Sequence, residues 1–207
     1  MNNQKNYKNT IFGYYSPNNS ISLSLIGIFG ALTCVITMLI AIPIPATQGY
    51  INIGDAVVML AALLFGPVVG ALAGGIGSAL ADIFLGALIY APATLVIKGL
   101  EGFTVGLIAD PKRNGRSLTY RDIIGVAIGG LIMVFGYFVY EIILFGFYAA
   151  LYEIFMNSLI QYSLGIALSL LLTIPLRKGL HESLPQLFEK LYVTEEQDFT
   201  IQKALNE

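Results

Sequence analysis

Long apolar stretches are the feature that most constrains the fold of this chain. A helix needs about 20 mostly apolar residues to cross about 30 Å of hydrocarbon. Four stretches meet this requirement, over residues 23–42, 91–109, 123–147 and 154–174. Only 12% of the 207 residues are charged, about half the share found in an average soluble domain. The sequence therefore predicts an all-α membrane protein and excludes a soluble fold of this size.

A fifth apolar stretch, over residues 55–85, is too long for one upright span. As a single helix it would measure about 46 Å at 1.5 Å per residue. Gly66 and Pro67 interrupt it, and proline can neither donate to the helix ladder nor leave its predecessor an easy helical conformation. We expect a break at this point, giving a short helix over 55–65 and a longer one over 67–86.

The positions of the basic residues support this break. Of the eleven Lys and Arg residues, all except Lys98 lie before the first span, between residues 112 and 121, or from residue 177 onward. With the break there are six transmembrane helices, and the three basic segments share one face. The positive-inside rule makes that face cytoplasmic, so both termini are predicted to be cytoplasmic. The predicted regions are a polar tail over 1–22, a six-helix membrane domain over 23–176 and a second tail over 177–207.

Charged side chains within the spans mark a candidate site. An ionised group at the bilayer centre costs about 2.5–3.5 kcal/mol, so each one is a functional candidate. These residues are Asp82, Lys98, Glu101, Glu141 and Glu153. Measured along the helices, Glu101 falls near mid-depth and the others fall in the outer half. Lys98 could form a structural ion pair with Asp82 or Glu101, but one lysine cannot neutralise every carboxylate.

Helical spacing predicts which way these side chains point. Glu153, Asn157 and Gln161 follow one another at intervals of four and would share one face of the sixth span. A stripe of one acid and two amides must point into the bundle rather than at lipid. On the fifth span, the residues that share a stripe are Tyr137, Glu141 and Tyr148. The pattern predicts a polar cavity that opens outward. The residues expected to close it on the cytoplasmic side are Leu164, Leu168 and Leu171.

The first loop, over residues 43–54, is long, polar and uncharged. Tyr50 and Asn52 can hydrogen-bond a neutral ligand, and the Pro and Gly residues of the loop can shape a lid. A plain connector is the alternative. Tyr90 is either an anchor at the membrane interface or an aromatic partner for a ligand. Because the chain has no tryptophan, any stacking on a ligand must come from Tyr or Phe.

Motifs for catalysis and for energy coupling are missing from the sequence. There is no Walker A sequence, and the glycine cluster over 73–82 lacks the third glycine of the dinucleotide-binding pattern. His181 has no metal-binding partner nearby in the sequence, and a single cysteine, Cys34, allows neither an internal disulfide nor a Cys-rich metal site. The net charge of −2 gives no reason to expect nucleic acid. The sequence therefore predicts neither an enzyme nor a metal site.

Two blocks of sequence carry a family resemblance. The run YINIGDAVVMLAALLFGPVVGALAGGIGSALADIFLG over residues 50–86 is followed by YAPATLVIKGLEGF over 90–103. Together they resemble the substrate-binding S components of energy-coupling factor (ECF) vitamin transporters, with similarity over about residues 20–176. The chain is most similar to the riboflavin-type and vitamin-precursor branch, whose members are assigned to pyrimidine or pyridine compounds. The resemblance implies the six-helix S-component fold and a multi-pass location in the bacterial plasma membrane.

The resemblance also implies partners. An S component captures a small vitamin or precursor from outside, and a membrane T subunit and two ATPase subunits, encoded as separate chains, complete the transporter. The ATP would be used by those partners, so no cofactor is expected in this chain. The first helix of the family carries a face of small residues for docking the T subunit, and Gly27 and Ala31 occupy it here. Thiamine-type members use tryptophans in the pocket, and their absence argues against thiamine itself.

A ligand-binding hypothesis follows from the polar stripes and the resemblance together. We expect Glu141, Glu153 and Asn157 to hydrogen-bond a small heterocycle. The residues expected to assist are Lys98, Gln161, Tyr50 and Asn52, with Glu101, Tyr90 and Asp82 beside them. One alternative is a proton-coupled secondary transporter or channel for a small polar solute, with Asp82, Glu101 and Glu141 as the relay. Another is a membrane enzyme of lipid or isoprenoid chemistry, although no paired metal-binding Asp supports it.

Overall fold

The computed structural model describes residues 10–11, 14–15, 20–44, 47–114, 117–155, 159–189 and 191. Two short antiparallel hairpins are formed, by β1 (Thr10–Ile11) with β2 (Tyr14–Tyr15) and by β3 (Ile42–Ile44) with β4 (Gly49–Ile51). The helices in this part of the chain are α1 (Ser20–Leu39), α2 (Gly54–Phe65), α3 (Pro67–Phe84), α4 (Ala91–Ala109), α5 (Pro111–Asn114), α6 (Tyr120–Phe145), α7 (Phe147–Glu153), α8 (Leu159–Ser183) and α9 (Pro185–Glu189).

Five of the helices in the described part of the chain are long and apolar enough to cross a membrane: α1, α3, α4, α6 and α8. Helix α2 differs from them, because it has 12 residues and all of them are buried. At 1.5 Å per residue α2 is about 18 Å long, which is short of the about 30 Å of a hydrocarbon core. The structure therefore gives five candidate spans and one short internal helix, where the sequence predicted six spans.

The predicted break between α2 and α3 is confirmed, and it falls at Gly66. This residue has φ +88°, a conformation that glycine adopts without steric cost. Pro67 then opens α3, where its missing N–H is no loss. A Cβ added to Gly66 would lie 2.2 Å from the Tyr14 ring, which packs against the break. Glycine is therefore required here both by backbone conformation and by the contact with Tyr14.

The helices run between two distinct ends of the bundle. One end, which we name the hairpin end after the β3–β4 hairpin, also holds the α3–α4 loop and α7. We name the other end the basic end. The basic end holds Lys112 and Arg121, whose nitrogens lie 3.6 and 3.7 Å from Asp110, and Arg177, which bonds to Asp122. The described basic residues of the 112–121 segment and the start of the C-terminal segment thus share one end, as the positive-inside argument required.

Close backbone contacts hold α3 between α1 and α4. A Cβ on Gly77 would lie 2.4 Å from the Gly30 carbonyl oxygen of α1. A Cβ on Gly70 would lie 2.8 Å from the Gly102 carbonyl oxygen of α4. Small residues spaced about four positions apart along a helix let membrane helices approach this closely. The glycines of α3 are therefore explained by packing within the chain.

Helix α8 departs from the prediction in its bounds and in the face it buries. It runs over Leu159–Ser183, past the predicted end at residue 174, and residues 156–158 before it lie outside the described residues. The residues it buries at successive intervals of four are Gln161, Gly165, Ser169, Thr173 and Arg177. Leu164 and Leu171 are 43% and 64% exposed, and Leu168 is half-buried. The prediction that these leucines close the cavity is wrong, since leucine loses nothing by facing lipid while polar groups must be satisfied inside.

A different set of apolar residues fills the bundle below the cavity. Met59 and Leu63 of α2 pack with Val105 of α4 and Val126 of α6, and all four are buried. A second cluster at the basic end joins the break region to both tails. Its members include Tyr14, Phe65, Phe188 and Leu191.

Candidate functional site

A polar cavity lies near the hairpin end, between β4 and helices α1, α3, α4, α6, α7 and α8. Its volume is about 40 Å³, which is room for a few water molecules at most. Eight of the ten side chains that the sequence predicted for a binding site line it. They are Tyr50, Asn52, Asp82, Tyr90, Lys98, Glu141, Glu153 and Gln161. Glu101 lies behind Lys98, and Asn157 lies outside the described residues.

Lys98 is the centre of a buried ionic cluster. Its ammonium group bonds to Asp55 Oδ1 and, at 2.9 Å, to Glu101 Oε2. Asp82 and Glu101 were both predicted as partners of Lys98; the pairing with Glu101 is confirmed, and the pairing with Asp82 is wrong. Asp82 instead accepts a hydrogen bond from the Tyr50 hydroxyl. Asp55 reaches Lys98 from the first turn of α2, where a carboxylate is also favoured by the helix dipole.

Asp55, which bonds to Lys98, is not among the site residues that the sequence predicted. It is 1% exposed, and its second oxygen, Oδ2, accepts a hydrogen bond of 2.8 Å from Gln161 Nε2. Gln161 Oε1 in turn accepts from the backbone N–H of Asn52 at 2.9 Å. This chain of bonds links α4, α2, α8 and the loop after β4. An acid in the first turn of a wholly apolar helix was the signal that could have identified it.

The second group of acids lies on the opposite wall of the cavity. Glu141 of α6 and Glu153 at the end of α7 both line this wall, close enough for their carboxyl groups to interact electrostatically. The Tyr90 hydroxyl donates to the Thr47 carbonyl at 2.9 Å and lies 3.5 Å from Glu141 Oε1. Tyr90 is 4% exposed, so its interpretation as an interfacial anchor is wrong.

Burial raises the pKa of Tyr90, and the nearby Glu153 and Glu141 raise it further. Burial likewise raises the pKa of Tyr50, with Asp82 adding to the effect. Both shifts keep the phenols protonated at any physiological pH, because each removes stability from the phenolate. The two tyrosines therefore act as neutral hydrogen-bonding groups in the site.

Tyr50 separates this cavity from a larger groove on the hairpin end. The groove has a volume of about 510 Å³ and an uncharged lining that includes Pro43, Gln48 and Leu88. Tyr50 and Gly49 line both spaces. The predicted role of the first loop as a cover over the cavity is consistent with this placement, and Tyr50 is the side chain between the two.

The structure separates some residues that the sequence placed on one stripe. Glu153 belongs to α7 and Gln161 to α8, so the expected single stripe on the sixth span is not formed by the described residues. Tyr148 is 87% exposed and follows a turn at Gly146, which removes it from the stripe of Glu141.

Several hydroxyl groups of the cavity were not predicted. Thr94 accepts a 2.9 Å hydrogen bond from Tyr137, and Thr37 and Ser78 also line the cavity. Threonine and serine occur widely in apolar helices, so their sequence positions carried little signal.

Gly27 and Ala31 lie on the outer side of α1. Both are exposed, and no atom lies within 4 Å of a Cβ placed on Gly27. Gly30 on the same helix is buried against Ala73 of α3. The exposed pair is therefore not used for packing against the described part of the chain.

A bundle of membrane-crossing helices around a buried polar cavity defines this chain as a multi-pass protein of the cell membrane. The family model described as "ECF-type riboflavin transporter, S component" matches residues 18–178. The chain therefore belongs to the family of ECF transporter S components. These proteins are the substrate-binding subunits of vitamin transporters, and the chain is not an enzyme.

The chain is also similar to individual proteins. An uncharacterised protein of Pyrococcus woesei is 46% identical over 132 residues, which cover 64% of this chain and 85% of the relative. The thiamine precursor transporter HmpT of Lactococcus lactis subsp. cremoris is 30% identical over 156 residues, covering 75% of this chain and 87% of the relative. A solved bacterial ECF S component is 22% identical, with a TM-score of 0.40 over 80% of this chain and 95% of that structure.

Proposed function

We propose that this chain captures a small vitamin or vitamin precursor in the polar cavity, from the outer side of the membrane. The hairpin end faces outside and the basic end faces the cytoplasm, in agreement with the positive-inside rule. A separate T subunit and two ATPase subunits then drive uptake with ATP. The observation that carries the proposal is one polar cavity, lined by Lys98, Gln161 and acids, within a chain of this family.

A compact heterocycle of the pyrimidine or pyridine class is the ligand that fits best. Small-molecule sites enclose about 300–1,000 Å³, whereas this cavity encloses about 40 Å³. The cavity must widen for any ligand, and a single ring requires less widening than the three fused rings of a flavin. The 30% identity to a thiamine precursor transporter supports the same choice.

Widening starts at the first loop. Tyr50 is tied to the bundle by its bond to Asp82, and Asn52 by its bonds to Gln161. Breaking these contacts joins the cavity to the outer groove of about 510 Å³. The β3–β4 hairpin is then the lid through which the ligand enters, and the same bonds close it afterwards.

Docking of the T subunit uses the outer side of α1. Gly27 and Ala31 present a small surface there, with open space above Gly27. Close approach of a partner helix needs small residues four apart. This surface is separate from the cavity, so docking and ligand capture are distinct steps.

Ligand binding by the purified chain tests the proposal. We expect an aminopyrimidine precursor or riboflavin to bind. Gln161→Ala and Glu153→Ala should weaken binding by about tenfold or more, since each removes a polar group that lines the cavity. Asn157→Ala should do the same if the sequence-based assignment of Asn157 to the site is correct. Tyr148→Ala is the control, because Tyr148 is 87% exposed outside the cavity. Unchanged affinity in all three variants would contradict the proposed site.

The transport mode is tested separately. The chain reconstituted alone should not take up ligand in response to a proton gradient, because uptake depends on its partner subunits. Gradient-driven uptake by the chain alone, lost in Glu101→Gln, would favour a proton-coupled transporter instead.

A further inference from the structure

Asp55 lies behind two of the side chains that line the cavity. It is 1% exposed and belongs to the first turn of α2, and it is not one of the described residues that line the cavity. Its Oδ1 accepts from the Lys98 ammonium group, and its Oδ2 accepts from Gln161 Nε2 at 2.8 Å. Both of these donors line the cavity. Asp55 therefore reaches the binding site through other side chains, and it uses both carboxylate oxygens to do so.

The turn of α2 that carries Asp55 is packed closely by two other helices. A Cβ added to Gly54 would overlap Thr37 Oγ1 of α1. A Cβ added to Gly165 of α8 would lie 3.0 Å from Asp55 Cβ. Side chains of a binding site are held most precisely when the residues behind them are fixed by packing and hydrogen bonds. Asp55 is therefore a fixed point against which the cavity side chains are oriented.

The carboxylate of Asp55 determines which way the Gln161 amide points. A carboxylate paired with an ammonium group only accepts hydrogen bonds, so it holds the Nε2 end of the amide and directs Oε1 away. Gln161 Oε1 then accepts from the backbone N–H of Asn52 at 2.9 Å and from Asn52 Nδ2 at 3.3 Å. A reversed amide would place its own N–H groups against those of Asn52. The bond between Gln161 and Asn52 therefore depends on Asp55.

Asn52 connects these bonds to the β3–β4 hairpin. It directly follows β4, and its Oδ1 accepts from the Gly54 N–H at 2.8 Å. The bonds to Gln161 therefore hold the end of the hairpin against α8. Tyr50, two residues earlier, is the side chain between the cavity and the outer groove. The position of the hairpin thus depends on Gln161 and, behind it, on Asp55.

Asp55 also fixes the cation of the cavity wall. Lys98 of α4 is 2% exposed, and its ammonium group bonds to Glu101 Oε2 at 2.9 Å as well as to Asp55. Glu101 lies three residues further along the same helix, so this pair alone does not join α4 to another element. The bond to Asp55 joins α4 to α2. One carboxylate therefore sets the positions of a cation and of an amide on two different helices.

We propose that Asp55 is a positioning residue for substrate capture: through Gln161 and Asn52 it holds the β3–β4 hairpin closed, and through Lys98 it fixes the cation of the cavity. This inference rests on the proposed function and adds to it a residue that does not touch the ligand. A ligand that bonds to Lys98 or Gln161 meets groups that are already oriented, so less side-chain freedom is lost on binding. Loss of the carboxylate should loosen the hairpin and weaken binding while the bundle stays folded.

Exchanging an acceptor for a donor tests this chain of bonds. Asp55→Asn keeps the size of the side chain but replaces one carboxylate oxygen by an NH2 group, which cannot accept from Gln161. The double variant Asp55→Asn with Gln161→Glu restores the bond in reverse, because the new amide at position 55 donates to the new carboxylate at position 161. The second oxygen at position 161 still accepts from Asn52, and Lys98 keeps an oxygen acceptor at position 55. The net charge of the double variant equals that of the wild type.

Hydrogen–deuterium exchange of the unliganded full-length chain in lipid nanodiscs measures the hairpin directly. Asp55→Asn should speed exchange over residues 49–54 by about tenfold or more, the effect of losing a hydrogen bond to a charged group, while residues 91–109 of α4 stay protected. Gln161→Ala leaves the pair of Asp55 with Lys98 in place and should speed exchange over 49–54 similarly. The double variant should restore slow exchange there.

A matched control removes a different buried carboxylate. Asp122→Asn breaks the pair with Arg177 at the basic end and should leave exchange over residues 49–54 unchanged. Calorimetry with 4-amino-5-hydroxymethyl-2-methylpyrimidine and with riboflavin then measures capture. For the probe that the wild type binds, Asp55→Asn should weaken binding by about tenfold to a hundredfold. The double variant should recover most of this loss, and Asp122→Asn should bind as the wild type does.

Several outcomes would overturn the inference. Unchanged exchange over residues 49–54 in both Asp55→Asn and Gln161→Ala would refute the link to the hairpin, and equal acceleration over 91–109 would show a general loss of stability instead. A double variant that exchanges as fast as Asp55→Asn would refute action through Gln161. Wild-type affinity in Asp55→Asn would refute its role in capture. Binding of neither probe by the wild type would count against the proposed function, and the exchange rates would still decide whether Asp55 holds the hairpin.

Discussion

Two buried ionic clusters occupy opposite ends of the bundle, and they differ in their charge balance. At the basic end, Arg177 pairs with both oxygens of Asp122, at 2.9 and 3.1 Å, and also donates to the carbonyls of Leu63 and Ser117. At the hairpin end, Lys98 bonds to Asp55 and Glu101, while three further acids, Asp82, Glu141 and Glu153, line the same cavity. The balanced cluster joins helices permanently, while the unbalanced cluster retains capacity to bind a ligand.

The first prediction breaks the balanced cluster. Arg177→Ala leaves the carboxylate of Asp122 buried without its cation and should lower the free energy of unfolding by about 3–5 kcal/mol. Thermal unfolding of the purified chain measures this loss. Lys178→Ala, at the exposed neighbouring position, should have little effect. The ligand affinity of folded Arg177→Ala should stay near that of the wild type, and a large loss of affinity would contradict the separation of the two ends.

A second prediction concerns the packing at the basic end. Gly66→Ala should cost about 2–5 kcal/mol, since it adds the backbone penalty of a conformation open only to glycine to a clash with the Tyr14 ring. Gly146→Ala is the matched control, because Gly146 has φ +86° and open space around it. It should cost only the backbone part, about 1–3 kcal/mol. Equal losses in the two variants would show that the Tyr14 contact contributes nothing.

A third prediction concerns the lid at the hairpin end. Tyr50→Phe removes the bond to Asp82 and should cost about 1 kcal/mol of stability. Its larger effect should be kinetic, because a looser lid speeds both association and dissociation of the ligand. Stopped-flow binding measures the two rates. Tyr162→Phe removes a hydroxyl that bonds to Ala127 away from the cavity and should leave both rates unchanged; equal rates in Tyr50→Phe would contradict its role as a lid.

The smallest expected effect on stability belongs to a surface that lies in neither cluster. Gly27→Leu should leave the unfolding temperature and the ligand affinity unchanged, since nothing lies within 4 Å of its Cβ position. It should reduce co-purification with the T subunit and reduce ATP-dependent uptake. Gly179→Leu, at another glycine with open space, is the control for added bulk. Normal uptake in Gly27→Leu would refute docking at this face.

Sequence reasoning predicted the parts of the fold that depend on local chemistry. The bounds of α4 agree with the prediction, and the break at Gly66 was evident from Gly-Pro within an apolar stretch. The prediction was wrong for the buried face of α8, because it placed leucines in the interior, as they would lie in a soluble protein. In lipid the informative residues are the small and polar ones, such as Gly165, Ser169 and Thr173.

The sequence predicted which residues belong to the candidate site better than it predicted which of them bond to one another. Intramembrane charge identified Lys98 and the acids around it, and the structure brings most of them to one cavity. Pairing could not be read from the sequence, since Asp55 meets Lys98 only when α2 packs on α4. The same holds for Glu141 and Glu153, which line one cavity because the chain turns at Gly146 between α6 and α7.

Helix α2 has a consequence for how the protein responds to its bilayer. Every residue of α2 is buried, so no part of it contacts lipid and its length of about 18 Å creates no hydrophobic mismatch. Its C-terminal end is satisfied by protein, because Arg177 donates to the Leu63 carbonyl. Membrane thickness therefore affects the five longer helices. The distance along α2 from Asp55 to the Leu63 carbonyl, where Arg177 donates, is set within the protein. A change of lipid chain length should tilt the outer helices without stretching the helix that carries Asp55.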